Sequence, residues 1–500
     1  MKNILSCMAV TAAMFPSLLR AETVIEVNLD NIKQYEVVQI IRFEGGGGKS
    51  VHNDTIRDGK SSFTFTCGPI TEDVYYGVVL KKGKSSFSNH RTIYVSPDSK
   101  ATISGSGDYP PNWEAKSPHP QQAHENWMND VEKEFLNAMQ DIDYVRDTTK
   151  NKEQRQALYD KRDSIDIQMT EKLLLTLKEM PIDSLWLEDF ARNTTMINYE
   201  GTDYPHYGLM KELHARLSEA DKATPIGKRI TNDLFGKKLK EGDKFVDYDL
   251  YDIDEKVHHL ADYQGKWMLV DFSSYYCGPC RLITPMWKYL YEKGVNEKLE
   301  IITILDDAKK QFEALVKSDK PVSPYFFDHD GKNGIHSLYK ISGTPTFFVI
   351  NPEGKIVRSW LGTYTEKVMQ VVKEAGAYPA PTYKTENGVT TIINPTYTDF
   401  STILVDKVEI YKDSVILDCT QPQSRPFRIS SRSGLYVDGQ CVSKITSCSF
   451  GLDKNAKAKF GESCHFRLTF EPLPAGTTAF DFKEGDKKGN FFFLGMKVKE

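Results

Sequence analysis

The chain has 500 residues, 40% of them hydrophobic, 27% charged and 11% aromatic, which excludes a disordered or collagen-like polypeptide. A formal charge of −5 gives no broad electrostatic reason to bind nucleic acid or acidic lipid. Eight cysteines are too few for a disulfide-built scaffold, and one domain per ~150 residues suggests about three domains.

Residues 1–21 read as a Sec signal peptide: Lys2, a mostly apolar stretch from Ala9 to Leu19, small Ala21, then acidic Glu22. A buried first helix is the alternative, and Pro16 and the short apolar run count against it. Cys7 follows Lys2 too closely to leave room for the apolar core of a lipoprotein signal. Beyond this segment no apolar run reaches the ~18 residues needed to span a bilayer. The mature chain is expected in the periplasm, where thiols tend to oxidise.

Residues 22–110 read as an all-β, sandwich-like domain. Turn signals such as Glu44-Gly45-Gly46-Gly47-Gly48 and Arg57-Asp58-Gly59 separate β-branched and aromatic runs, including Ser62 to Thr66 and Tyr75 to Leu80. Gly48-Lys49-Ser50 is no P-loop, since the motif's first glycine would fall on Phe43 and no helix pattern follows; the glycines suggest a hairpin tip. Residues 111–235 read as a helical spacer. Trp127, Val131, Phe135, Met139 and Ile142 mark one helix, and Ile165, Met169, Leu173 and Leu177 a second that Pro181 stops. Shorter helices are expected around Leu185 to Met196 and Leu209 to Leu217, with Thr224-Pro225 opening another. Their charged faces suggest solvation, and no ligand-binding pattern stands out.

Residues 236–376 alternate strands and helices. Trp267 to Phe272 and Leu299 to Leu305 are buried parallel-type strands, and helices are expected from Cys277 to Lys293 and Ala308 to Lys317. Thr346 to Ile350 and Lys355 to Val357 flank Asn351-Pro352-Glu353-Gly354 as a hairpin, completing an α/β unit. A linker, Ala377-Tyr378-Pro379-Ala380-Pro381, leads into residues 382–500, which read as all-β with turns at Asn387-Gly388, Asp438-Gly439 and Glu484-Gly485-Asp486.

The chemistry concentrates at Cys277-Gly278-Pro279-Cys280. No second, similarly spaced pair completes a zinc ribbon, and this pair follows a buried strand and opens a helix. At a helix N-terminus the dipole and free N–H groups stabilise a thiolate, and thiol pKa values fall from ~8.5 to roughly 3.5–7.5 in such motifs. Cys277 is therefore the expected nucleophile and Cys280 the resolving thiol.

The stretch Leu269-Val270-Asp271-Phe272 through Cys277-Gly278-Pro279-Cys280 to Pro285 resembles thioredoxin, as does Ile341-Ser342-Gly343-Thr344-Pro345-Thr346. The resemblance covers roughly residues 240 to 375. The opening hairpin around Asp249 to Leu260 is similar to extracytoplasmic thioredoxins of the TlpA/ResA type, and the flanking layout to multidomain TlpA-like proteins of Bacteroidetes. The resemblance implies a central thioredoxin fold and a disulfide reductase whose only redox group is the Cys277–Cys280 pair. It implies a cis Pro345 presenting the Thr344 backbone to substrate, against the alternative of a trans proline leading into a strand. It also implies that buried Asp271 assists proton transfer at Cys280, against the alternative of a strand-end Asp bonded to nearby backbone. Tyr276 stands where many members carry tryptophan, and with Gly278 and Pro279 it would border the substrate. The implied partners are protein disulfides and a membrane-embedded electron donor; the resemblance implies no oligomeric state.

Cys419, Cys441, Cys448 and Cys464 cluster in the C-terminal region. Structural disulfides are the leading expectation, with reduced thiols and zinc as alternatives. Cys67 reads as a small buried hydrophobe and His258-His259 as a strand edge. A thiol peroxidase would want threonine two or three residues before its cysteine, where Ser274-Tyr275-Tyr276 stands. A non-catalytic binding protein on a thioredoxin scaffold is the remaining alternative, disfavoured by the intact cysteine pair.

Overall fold

The computed structural model describes residues 22–44, 47–70, 74–83, 86–456, 459, 461–484 and 491–499. The expected signal segment 1–21, Gly45-Gly46 and Gly485-Asp486 lie outside the described residues. The chain divides into two compact units, Met1–Glu179 and Met180–Glu500.

In the first unit, strand Val24–Asp30 turns Ile25, Val27 and Leu29 inward at the two-residue period that a half-buried strand requires. It pairs antiparallel with Ser61–Thr66 and parallel with Lys100–Ser106, which carries Glu114–Lys116 on its other edge. A second four-stranded sheet runs Gly47–Thr55, Val37–Glu44, Tyr75–Lys82 and Ser86–Tyr94. Gly47 pairs with Glu44 and Gly48 with Phe43, so the two strands of this hairpin meet at the glycine run as expected, its residues 45 and 46 lying outside those described. Ile25, Val27, Val38, Ile40, Val78 and Ile103 form one core with Trp113. Helix Gln122–Thr148 is tied to the second sheet, where Asn89 Nδ2 donates to the Leu136 carbonyl at 2.7 Å. The helical stretch expected as a single spacer therefore divides, with Gln122–Thr148 and Lys152–Glu179 in the first unit and the rest in the second.

The second unit begins with Ser184–Thr194, capped by Asp183 accepting from the Trp186 N–H, and Met196–Glu200. Thr224 caps Pro225–Phe235 as its sequence suggests. A seven-stranded sheet follows in the order Val257–His258, Leu250–Tyr251, Tyr325–Phe327, Leu299–Leu305, Trp267–Ser273, Thr346–Ile350, Ile356–Leu361. The central strands are buried on both faces, as their unbroken apolar runs require. Trp267–Ser273 pairs parallel with Leu299–Leu305 and antiparallel with Thr346–Ile350, which places it mid-sheet.

The C-terminal strands form a ten-strand ladder. Asn387-Gly388 and Asp438-Gly439 both take left-handed φ, as tight hairpin turns demand. This region shares one core with the central α/β fold, since Leu269, Trp287, Val368 and Val372 cluster with Leu404, Val408, Leu417 and Phe466. The segment expected as a linker is fixed: Ala377 is buried, and the Tyr378 hydroxyl lies 2.9 Å from that of Tyr289.

The cysteines correct one expectation. Cys67, Cys419, Cys441, Cys448 and Cys464 are all free thiols. Strand register sets Cys419 opposite Phe466, Cys441 opposite Tyr436, Cys448 opposite Leu468 and Cys464 opposite Gln421, so no cysteine faces another. Burial raises the Cys67 pKa to about 11, in keeping with an inert half-buried thiol.

Candidate active site

Strand Trp267–Ser273 ends in a short loop that enters helix Gly278–Glu292, and Cys277 is the N-cap of that helix. Its sulfur accepts the Cys280 N–H at 3.1 Å, one of the donors that a helix start leaves free. Cys277 and Cys280 are joined as a disulfide, with Cys277 half-buried and Cys280 3% exposed. Cys277 is thus the more solvent-accessible of the two. Gly278 and Pro279 are exposed on the first turn, and a Cβ on Gly278 would meet nothing within 4 Å. Tyr276 is 45% exposed beside Cys277, its ring edge-on to that of Tyr275.

The Thr344–Pro345 bond is cis. Pro345 is buried, and its carbonyl accepts the Gly362 N–H at 2.9 Å, tying the loop to the strand beyond. Thr344 is half-buried, and Thr346 closes the turn by donating its hydroxyl to the Gly343 carbonyl at 2.6 Å.

Asp271 lies in the middle of the sheet, 2% exposed. Its Oδ2 accepts the Thr303 hydroxyl at 3.5 Å, and its Oδ1 has no hydrogen-bond partner among the described residues. Burial pushes its pKa up to about 7, against smaller opposing effects of Trp287 and Thr303. A buried acid poised near neutrality can hold or release a proton at physiological pH.

Two features escaped the sequence reading. Asp307, at the C-terminal end of strand Leu299–Leu305, accepts the Tyr275 N–H at 2.5 Å and the Ser274 hydroxyl at 3.3 Å, fixing the loop before Cys277. Its place just past a parallel strand's carboxyl end is where α/β sheets collect functional groups. The helical segment, in which no binding pattern was seen, also contributes: Thr195, Asn198 and Tyr199 line a cavity of about 320 Å³ with Ser274 and Thr344. The Tyr199 hydroxyl donates to the Ser342 carbonyl in the cis-proline loop. Among the described residues no group of three or more His, Cys, Asp or Glu is placed to hold a metal.

Residues 242–359 match the AhpC/TSA family. The chain is 30% identical over 147 residues to the thiol-disulfide oxidoreductase ResA of Bacillus subtilis, covering 29% of this chain and 81% of ResA. It is 27% identical over 136 residues to the thioredoxin-like protein YneN of Bacillus subtilis, covering 26% of this chain and 78% of YneN. Among solved structures, the thioredoxin domain of a thiol-disulfide oxidoreductase from Bacteroides vulgatus is 23% identical with a TM-score of 0.25, spanning 27% of this chain and 98% of that one. The chain belongs to the TlpA/ResA-type thiol-disulfide oxidoreductases, enzymes built on an AhpC/TSA thioredoxin-like domain.

Proposed function

We propose that the chain is an extracytoplasmic reductase of protein disulfides working through Cys277 and Cys280. The observation that carries this reading is the pair itself, with a half-buried Cys277 at a helix N-terminus and a shielded Cys280 one turn inside. In the reduced protein the helix terminus stabilises the Cys277 thiolate, which attacks one sulfur of a client disulfide and expels the other as a client thiolate. Cys280, deprotonated towards Asp271, then attacks the Cys277 sulfur of the mixed disulfide. The Cys277–Cys280 bond forms and the second client sulfur leaves, so two electrons pass to the client and two protons complete its thiols. Thr344, ahead of Pro345, offers backbone to the client, and Tyr276, Gly278 and Pro279 border it.

The dithiol must be restored by two electrons. A membrane-embedded donor is the proposed source, because a periplasm has no thiol buffer to supply them. Localisation rests on residues 1–21.

Disulfide reduction by the purified, pre-reduced protein tests the reading. Cys277→Ala should abolish turnover, and Cys280→Ala should accumulate client mixed disulfides on Cys277 that mass spectrometry identifies. Undiminished reduction by either variant would overturn it.

A further inference from the structure

The redox site has two halves: the helix that opens at Cys277, and the loop that carries the cis Thr344–Pro345 bond. One segment of the C-terminal region reaches both. Beyond strand Val415–Gln421, the Ser424 N–H donates to the Leu282 carbonyl at 3.0 Å, on the cysteine helix. Gln423 Nε2 donates to the Thr365 hydroxyl at 2.8 Å. Arg425 Nη2 donates to the Thr363 hydroxyl and, at 3.5 Å, to the Thr363 carbonyl. Thr363 follows Gly362, whose N–H is bonded to the Pro345 carbonyl at 2.9 Å. Residues 423–425 thus span from the cysteine helix to the loop that abuts the cis proline.

The two ends of this span differ in how firmly they are held. Ser424 is buried, and its hydroxyl accepts the Gly461 N–H at 2.9 Å and donates to the Glu462 carbonyl at 3.2 Å. Gln423 is fully buried. Loop Leu361–Tyr364 is less secured. Gly362 takes a left-handed φ of 98°, and Tyr364, the N-cap of helix Thr365–Glu374, makes no side-chain cap bond. Leu361 and Tyr364 are exposed, so the loop offers apolar surface beside Pro345 while its placement depends on groups outside it.

Arg425 fits that need. It is half-buried, and the residue before it is pinned to both the cysteine helix and the C-terminal strands. A guanidinium donates charge-assisted hydrogen bonds, roughly twice as strong as neutral ones. We propose that Arg425 is a positioning residue: acting through Thr363, it holds the client-facing loop Leu361–Tyr364 at a fixed spacing from Cys277. This role rests on the disulfide-reducing reading above. Arg425 lies outside residues 242–359, so the device belongs to this chain's added C-terminal strands. A polypeptide client extends from the sulfurs across the loop, whereas a small disulfide needs the sulfurs alone.

That difference supplies the test. Full-length, pre-reduced protein is reacted with a cystine-bridged peptide and, separately, with hydroxyethyl disulfide, and second-order rates are read by thiol alkylation and mass spectrometry. Arg425→Met keeps the aliphatic stem and removes the donor. The ratio of peptide rate to hydroxyethyl disulfide rate should fall about fivefold or more, because a displaced loop misplaces only the longer substrate. Thr363→Val removes the acceptor hydroxyl from the other side and should lower the same ratio about twofold or more. The double variant should lose no more than Arg425→Met alone, since both changes break one interaction. Should Arg425→Met fail to melt cooperatively, Thr363→Val carries the test. An unchanged ratio, equal falls with both disulfides, or losses that add in the double variant would overturn the role. A wild-type protein that reduces neither disulfide removes the reductase reading and this role with it; a wild type that reduces both, with variants that keep its ratio, overturns the role alone.

Discussion

Replacing Asp271 by asparagine should stabilise the oxidised protein, and more at alkaline than at acid pH. The carboxyl titrates near its ordinary 3.8 in the unfolded chain and at about 7 in the fold, where burial disfavours its charge. Between those values the native state holds a proton that the unfolded state has lost. Stability therefore falls as pH rises from 3.8, and the loss is complete above about 7. At roughly 1.4 kcal/mol per pH unit, the penalty is on the order of 4 kcal/mol at pH 8 and about 1.5 kcal/mol at pH 5. The asparagine side chain cannot ionise, so its advantage over Asp271 should be larger at pH 8 by a difference on the order of 2–3 kcal/mol. Urea unfolding of wild type and Asp271→Asn at both pH values measures that difference. The Cys277–Cys280 disulfide does not titrate, so using the oxidised form keeps cysteine ionisation out of the comparison. A gain equal at both pH values, or larger at pH 5, would refute the claim that this buried carboxyl is protonated near neutrality.

Three further outcomes follow from the packing. Tyr289→Phe removes a buried hydroxyl placed 2.9 Å from both Asp406 and the Tyr378 hydroxyl, and should lower stability by about 1–2 kcal/mol in denaturant titrations. Asp307→Ala frees the Tyr275 N–H and should slow disulfide reduction by about tenfold or more while far-UV circular dichroism stays unchanged, because the loop before Cys277 loses its anchor. A chain ended at residue 381 strips the C-terminal half of the shared core and should melt at a lower temperature or aggregate, whereas a separately folding thioredoxin-like domain would melt as before.

What could be read from the sequence was local. Cys277 and Cys280 announce themselves by spacing, by the buried strand before them and by the helix they open; Asp271 does so by breaking an apolar run. The lining of the cavity could not be read this way, because Asn198, Asp306 and His336 are distant in sequence and meet only through the fold. Each alone reads as an ordinary surface polar residue. The C-terminal thiols failed for a similar reason, since clustering along the chain says nothing of strand register, and the register sets no cysteine directly opposite another even where Cys448 lies near Cys419 and Cys464. Residues 377–381 misled by composition. Proline and alanine suggest a tether, but Tyr378 carries an aromatic ring and a hydroxyl that the fold uses.

The shared core changes how the C-terminal strands bear on the chemistry. A tethered domain could recruit clients without touching the redox site. Here the Ser424 N–H donates to the Leu282 carbonyl at 3.0 Å, two residues beyond Cys280, and Gln423 Nε2 donates to the Thr365 hydroxyl at 2.8 Å. Pro285 lacks the N–H that would bond the carbonyl four residues earlier, so this helix starts with a weakened hydrogen-bond ladder. The strand region supplies an added backbone contact at that turn. On the cis-proline side, Tyr199 bonds the Ser342 carbonyl. The redox pair is thus framed by two segments that belong to one packed unit, while Tyr276, Leu361 and Tyr364 keep apolar surface exposed. The Ser424–Leu282 and Tyr199–Ser342 contacts fall within three residues of Cys280 and Pro345, so geometry at the cysteine pair is coupled to the integrity of the added segments. Substitutions confined to residues 423–425 should therefore alter the reduction rate as well as stability, an effect that a flexibly tethered recruiting domain would not produce.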